Sequence, residues 1–202
     1  AICGYHGWHD WYLASNLQSR KNLNNHLLKN LKPSGVPNSL RNTSFPFEFN
    51  NFESLKKLIL KEKIKIIKME ISRYEKPKIK FLKDVRKFCD KKKIILIFDE
   101  CTSGFRETYG GLHKKYNIEP DLCTFGKAMG NGYAITAVIG KKNIMEIAQD
   151  TFMSSTFWSE RIGPSAALKT LEVMKEIKSW NIITKKGKKL RKGIQLIAQK
   201  NK

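Results

Sequence analysis

The chain is poor in acid, has few cysteines and lacks any long apolar run, and each shortage removes a class of protein. Only 18 Asp and Glu stand against 39 Lys and Arg in 202 residues, which leaves a formal charge of +21. No apolar segment approaches the ~20 residues that span a bilayer, so a membrane partner is not expected. The first residues show no signal- or transit-peptide pattern. The four cysteines, Cys3, Cys89, Cys101 and Cys123, show no Cys-x-x-Cys spacing. Scattered in apolar or strand-like settings, they read as reduced thiols of a cytoplasmic protein and argue against a disulfide scaffold.

The positive excess at first suggests nucleic-acid binding. It is mostly Lys, however, and it is spread along the chain. The compact clusters, Lys91-Lys92-Lys93 and Lys185-Lys186-Gly187-Lys188-Lys189, lack interleaved aromatics, and no zinc-finger spacing accompanies them. They read as solvated helix faces, so nucleic acid is disfavoured as a partner. A basic field still favours anionic small molecules and phosphate groups.

What is present is a folded α/β pattern, with 41% hydrophobic and 10% aromatic residues. The chain opens on Ala rather than Met, and Ala1-Ile2-Cys3-Gly4 resembles the tail of a strand, so the expectation is a start inside a larger domain. Residues 16–51 carry Lys32-Pro33 and Val36-Pro37 around Gly35 and read as an irregular surface excursion. Helices are expected over 51–61 and 79–92, where Phe52, Leu55, Leu58, Ile59 and then Phe81, Leu82, Val85, Phe88, Cys89 recur at helical spacing. Strands are expected at 64–70, 94–98, 122–125 and 134–139, with a loop through Gly110-Gly111 and further helices at 142–149, 162–178 and 183–200. The strand–helix–strand unit from 64 to 98 predicts a parallel pair joined by a right-handed crossover.

Two of these runs end in charge. Ile94-Ile95-Leu96-Ile97-Phe98 gives way to Asp99-Glu100, and Leu122-Cys123-Thr124-Phe125-Gly126 to Lys127. Runs of this kind read as strands buried on both faces, and residues just past their C-terminal ends line the ligand crevice of α/β enzymes. An amine and a carboxylate on one rim are what pyridoxal 5'-phosphate (PLP) chemistry requires. The amine forms the Schiff base and the acid holds the pyridine nitrogen protonated.

Four ordered segments resemble the class III aminotransferases, PLP enzymes of fold type I, and in particular the glutamate-1-semialdehyde aminomutase-like branch. They are Gly4-Tyr5-His6-Gly7-Trp8-His9-Asp10, Phe98-Asp99-Glu100-Cys101-Thr102-Ser103-Gly104-Phe105-Arg106, Pro120-Asp121-Leu122-Cys123-Thr124-Phe125-Gly126-Lys127, and Ser155-Thr156-Phe157-Trp158-Ser159-Glu160. The resemblance implies a mostly parallel sheet flanked by helices, with a PLP-binding large domain over 1–178 and the helical start of a C-terminal region over 179–202. It implies that the chain is a fragment, without the family's phosphate-cradling loop before Tyr5 and without its small C-terminal domain.

The same resemblance implies the site. Lys127 would be the catalytic amine and proton carrier, which requires an ammonium that gives up its proton readily. Asp99, by itself an ordinary helix-cap residue type, would hold the pyridine nitrogen. Tyr5, with His6 beside it, would lie against one face of the cofactor, and Cys101, standing where the family commonly has Val, would pack on the other. Thr156 would reach the cofactor phosphate of a neighbouring subunit, which implies a homodimer. Glu70 would be an active-site carboxylate, although Ile71 replaces the Pro that usually follows it. Glu100 would serve structure, with Arg106 as its partner. His6 and His9 have helical spacing but no third ligand of suitable type nearby, so no metal is expected. The implied activity is amino-group transfer between a small-molecule amine donor and a carbonyl acceptor, or within one molecule. The competing reading is a truncated non-catalytic paralogue or a basic nucleic-acid-binding protein on the same scaffold.

Overall fold

The computed structural model describes residues 10–19, 21–24, 30–72, 75–153, 157 and 159–201. Two compact units divide the chain, Ala1–Asp99 and Glu100–Lys202. In the first unit, a short helix α1 (Trp11–Ala14) runs into a 3-10 turn, Ser15–Leu17. The Asn-rich excursion that follows is pinned by amide side chains. Buried Asn16 donates from Nδ2 to the Leu31 carbonyl at 2.8 Å and accepts the Leu23 N–H at Oδ1 at 3.1 Å. Asn22 Nδ2 donates to the Ser15 carbonyl at 2.7 Å. Such amide-to-backbone bonds supply the pairing that an irregular segment otherwise lacks.

Helix α2 (Phe52–Glu62) starts where the Asn51 side chain accepts the Ser54 N–H at 3.1 Å and buries Leu55 and Ile59. Strand β1 (Ile66–Met69), helix α3 (Ile79–Lys92) and strand β2 (Ile95–Asp99) form the expected crossover unit, with the strands parallel in the register Ile66↔Ile95 to Met69↔Phe98. Phe81, Leu82, Val85 and Cys89 turn the apolar stripe of α3 inward, and Phe49 meets Phe81 edge-on at 5.4 Å. Burial alternates along both strands. Ile67, Met69, Leu96 and Phe98 are buried, whereas Ile95 and Ile97 are half-buried and Ile66 is exposed. The expectation of burial on both faces therefore holds for one face only. On the other face, Ile66, Lys68 and Ile97 floor a groove of ≈ 670 Å³ walled by residues such as Phe45, Leu55 and Ile59.

In the second unit, the short helix α4 (His113–Tyr116) interrupts the expected loop. Strands β3 (Leu122–Phe125) and β4 (Ala137–Gly140) pair antiparallel, Leu122 opposite Gly140 and Phe125 opposite Ala137. Strand pairing in the protein is thus mixed. Asp121, buried at the start of β3, binds Lys141 Nζ at 2.6 Å, and its carbonyl accepts the Lys141 N–H. Helix α5 (Lys142–Met145) passes into a 3-10 turn, Glu146–Asp150. Helix α6 (Ile162–Ile177) is capped by Glu160, whose carboxylate accepts the N–H groups of Ile162 and Gly163. Helix α7 (Ser179–Lys200) follows after Lys178, which breaks the helix in a left-handed conformation (φ 51°). It begins four residues before the expected start at 183, and Trp180 in its first turn packs on Tyr109 with ring centroids 5.5 Å apart. No described helix is long and apolar enough to cross a membrane.

Candidate active site

In the first unit two carboxylates stand at strand ends. Asp99 closes β2, is nearly buried and has Lys68 Nζ 3.7 Å from its Oδ2. Lys68 comes from β1, where it pairs with Ile97, so the parallel register delivers a cation to the end of the neighbouring strand. Glu70 follows β1 directly and is buried, and Ile71 is wholly buried beside it.

In the second unit the turn after Glu100 is organised by that residue's side chain. Glu100 is fully buried. Its carboxylate accepts the His113 N–H at 2.9 Å, the His113 ring at 3.0 Å through Nδ1, and the Ser103 hydroxyl. Its own N–H donates to the Thr124 carbonyl of β3 at 2.9 Å, and its carbonyl accepts the Gly104 N–H at 2.8 Å. Burial alone would push the Glu100 carboxyl up. The bonds from the His113 ring, Ser103 and the backbone N–H groups of His113 and Leu112 outweigh it and hold the group below its ordinary value. The expected partner Arg106 instead donates from Nε to the Thr102 carbonyl at 2.7 Å. The reason is steric and dielectric: Glu100 points into the core, where a compact imidazole and a hydroxyl fit, while Arg106 stays exposed.

Cys123 Sγ lies 3.5 Å from His113 Nδ1. Burial, then the charges of Glu100 and Glu119, push its thiol up to about 12, so it stays protonated. Glu100, His113 and Cys123 bring ligand-type atoms within 4.8 Å of one another. The carboxylate is already saturated by protein donors and the thiol is neutral, so the cluster reads as an anchor for the turn.

That turn carries Thr102, which meets Lys127. Lys127 follows β3 on a left-handed backbone (φ 45°), is exposed, and donates from Nζ to Thr102 Oγ1 at 3.1 Å. Gly126 before it has no room for a side chain, since a Cβ there would lie 2.8 Å from Cys101 Sγ. Cys101 is therefore packed against the backbone that leads to Lys127. Gly163 lets α6 approach the same region: a Cβ would sit 3.0 Å from the Ala134 carbonyl. Of the expected site residues, Lys127 and Cys101 lie together in the second unit, while Asp99 and Glu70 lie in the first. Tyr5, His6 and Thr156 fall outside the described residues. Thr102, Ser103 and His113 were missed by the sequence reading. Thr102 and Ser103 stand inside a quoted segment, but His113 carries no local signal, because its bond to Glu100 spans 13 residues.

The model of the family "Aminotransferase class-III" matches residues 74–202. The 3-aminobutyryl-CoA aminotransferase of Cloacimonas acidaminovorans is 33% identical over 98% of this chain and 46% of its own. The glutamate-1-semialdehyde 2,1-aminomutase of Methanobrevibacter smithii is 33% identical over 96% of this chain and again 46% of its own. Among solved structures, the FumI protein of Sphingopyxis sp. MTA144 in its PLP internal aldimine form superposes with a TM-score of 0.83 over 99% of this chain and 46% of that one, at 25% identity. The chain belongs to the class III aminotransferase family, whose cofactor is PLP and whose fold is that of the fold type I transferases, and it spans about half the length of the relatives it matches. The side chains fit that cofactor in kind. Lys127 offers an exposed primary amine and Asp99 a nearly buried carboxylate.

Proposed function

We propose that the protein transfers an amino group between a small-molecule amine donor and a carbonyl acceptor, or shifts it within one molecule, using PLP. The reading is carried by Lys127, an exposed amine on a left-handed backbone just past β3, inside the stretch matched by the family. When bound, PLP supplies an aldehyde carbon for the amine and a ring that accepts electrons from the substrate carbon. Lys127 would hold the cofactor through its amine and, when that amine is free, would serve as the proton carrier beside the substrate carbon. Asp99 would hold the proton of the pyridine nitrogen, and the Lys68 ammonium lies 3.7 Å from that carboxylate. Following the resemblance, Tyr5, with His6, would lie against one face of the ring, Cys101 would pack on the other, and Glu70 would be a further active-site carboxylate.

Thr156 donates to the cofactor phosphate of a second copy, so the working form is a homodimer. Support for that interface comes from the residues flanking Thr156, since Phe152 is 98% and Phe157 67% exposed. The chemistry suits the cytoplasm, where thiols such as Cys101 stay reduced. Intermolecular and intramolecular transfer use the same Lys127 proton shift, and the relatives' names divide between the two. Adding PLP to the purified protein should produce a visible absorption band that Lys127→Ala lacks. A band that survives in that variant refutes the assignment.

A further inference from the structure

We propose that Thr102 is the positioning residue for Lys127: its hydroxyl aims the ε-amine at the cofactor aldehyde. The proposal rests on reading Lys127 as the cofactor-binding lysine. A free lysine side chain samples many rotamers, and Lys127 is exposed, so packing alone does not direct its amine. Two features restrict it. The left-handed backbone (φ 45°) fixes the direction of the Cα–Cβ bond, in a conformation that residues other than glycine seldom adopt. The far end is then held by the 3.1 Å bond from Nζ to Thr102 Oγ1.

Thr102 can act as a fixed point because its turn is anchored on both sides. Its carbonyl accepts Arg106 Nε at 2.7 Å. Before it, Cys101 packs against Gly126, and the Glu100 N–H binds Thr124 of β3 at 2.9 Å. After it, Ser103 is bonded to the buried Glu100 carboxylate. Hydroxyl and amine are thereby referenced to one strand, β3, which carries Lys127 at its end. The β-branched side chain limits χ1, so the hydroxyl has few alternative positions.

The residue type suits the task. A hydroxyl accepts from an ammonium and donates to the lone pair of a neutral amine, so the contact survives loss of the proton. A carboxylate at the same place would hold the amine as its non-nucleophilic cation. In the step served, Nζ forms a double bond to the aldehyde carbon of PLP, and the aldehyde oxygen leaves as water with two amine hydrogens.

Two rates test this in wild type, Thr102→Val and Thr102→Ser. One is PLP attachment at Lys127, quenched with borohydride and read by peptide mass spectrometry. The other, without cofactor, is acetylation of Lys127 by acetic anhydride relative to Lys186 in the same molecule. Thr102→Val should slow PLP attachment about 3- to 10-fold, the loss of one modest hydrogen bond. It should speed acetylation by a similar factor while leaving the urea midpoint and the other lysines unchanged, and Thr102→Ser should restore both rates. Wild-type rates in Thr102→Val, or failure of Ser to rescue, overturn the proposal. PLP attached to a different lysine in the wild-type protein overturns instead the reading on which it rests.

Discussion

Removing the Glu100 carboxylate should unfold the second unit more readily than any surface change. Glu100→Ala strips acceptors from the His113 N–H, the His113 ring and the Ser103 hydroxyl in a site without solvent. A buried donor left unpaired costs about 1–3 kcal/mol, and losing one partner of a buried charged network about 3–5 kcal/mol, so a loss of ~3–5 kcal/mol is expected. Glu100→Gln keeps the volume and one acceptor oxygen and should cost ~1–3 kcal/mol. Wild type and Glu100→Gln should also differ in acid. Burial raises the Glu100 carboxyl, but the stronger combined effect of its hydrogen bonds sets it below the ordinary value. A carboxyl lowered by folding stabilises above its unfolded value, about 4.3, and loses that contribution as pH falls through the folded value. Wild type should therefore lose stability below about pH 4.3 more steeply than Glu100→Gln. Urea unfolding at neutral pH and in an acid series reads both effects. An Ala variant within ~1 kcal/mol of wild type, or parallel acid slopes for wild type and Gln, would refute the assignment of Glu100 as the anchor.

Further expectations concern the sulfur beside Lys127. Gly126→Ala places a Cβ 2.8 Å from Cys101 Sγ. It should cost about 1–3 kcal/mol by overpacking, and Cys101→Ala in the same chain should recover most of that loss in the urea midpoint. Independent behaviour of the two substitutions would show that the contact is unimportant. Iodoacetamide should alkylate half-buried Cys101 well before buried Cys89 and Cys123. The Cys123 thiol, raised to about 12 by burial and neighbouring carboxylates, should stay unreactive until the protein unfolds. Early modification of Cys123 in peptide maps would contradict its placement.

The elements that periodicity could reveal were legible. Helix α3 has the bounds expected from Phe81, Leu82, Val85 and Cys89, and β3 those expected from Leu122 to Phe125. The misses have separate physical causes. Helix α4 is a single turn, too short for a period, and exists because Glu100 captures the His113 N–H from 13 residues away. Helices α2, α3 and α6 stop at Lys63, Lys93 and Lys178, each left-handed. Those ends lie within one residue of the ones expected, but a left-handed lysine in the place usually taken by Gly or Asn gave no sign that α7 resumes directly after Lys178. The direction of β4 could not be read, because an apolar run is the same in either orientation. At the site, Lys127 and Asp99 stood out as charges closing apolar runs, whereas Thr102 is one polar residue among several in its turn. Only a distance of 3.1 Å to Nζ distinguishes it.

The central claim is that one particular amine binds the cofactor. Incubating the protein with PLP, reducing with borohydride and mapping the peptides tests it most directly. The phosphopyridoxyl mass should fall on the peptide containing Lys127 and on no other at stoichiometric labelling. Label spread over the exposed lysines, or concentrated on one elsewhere while Lys127 stays unmodified, would contradict the account.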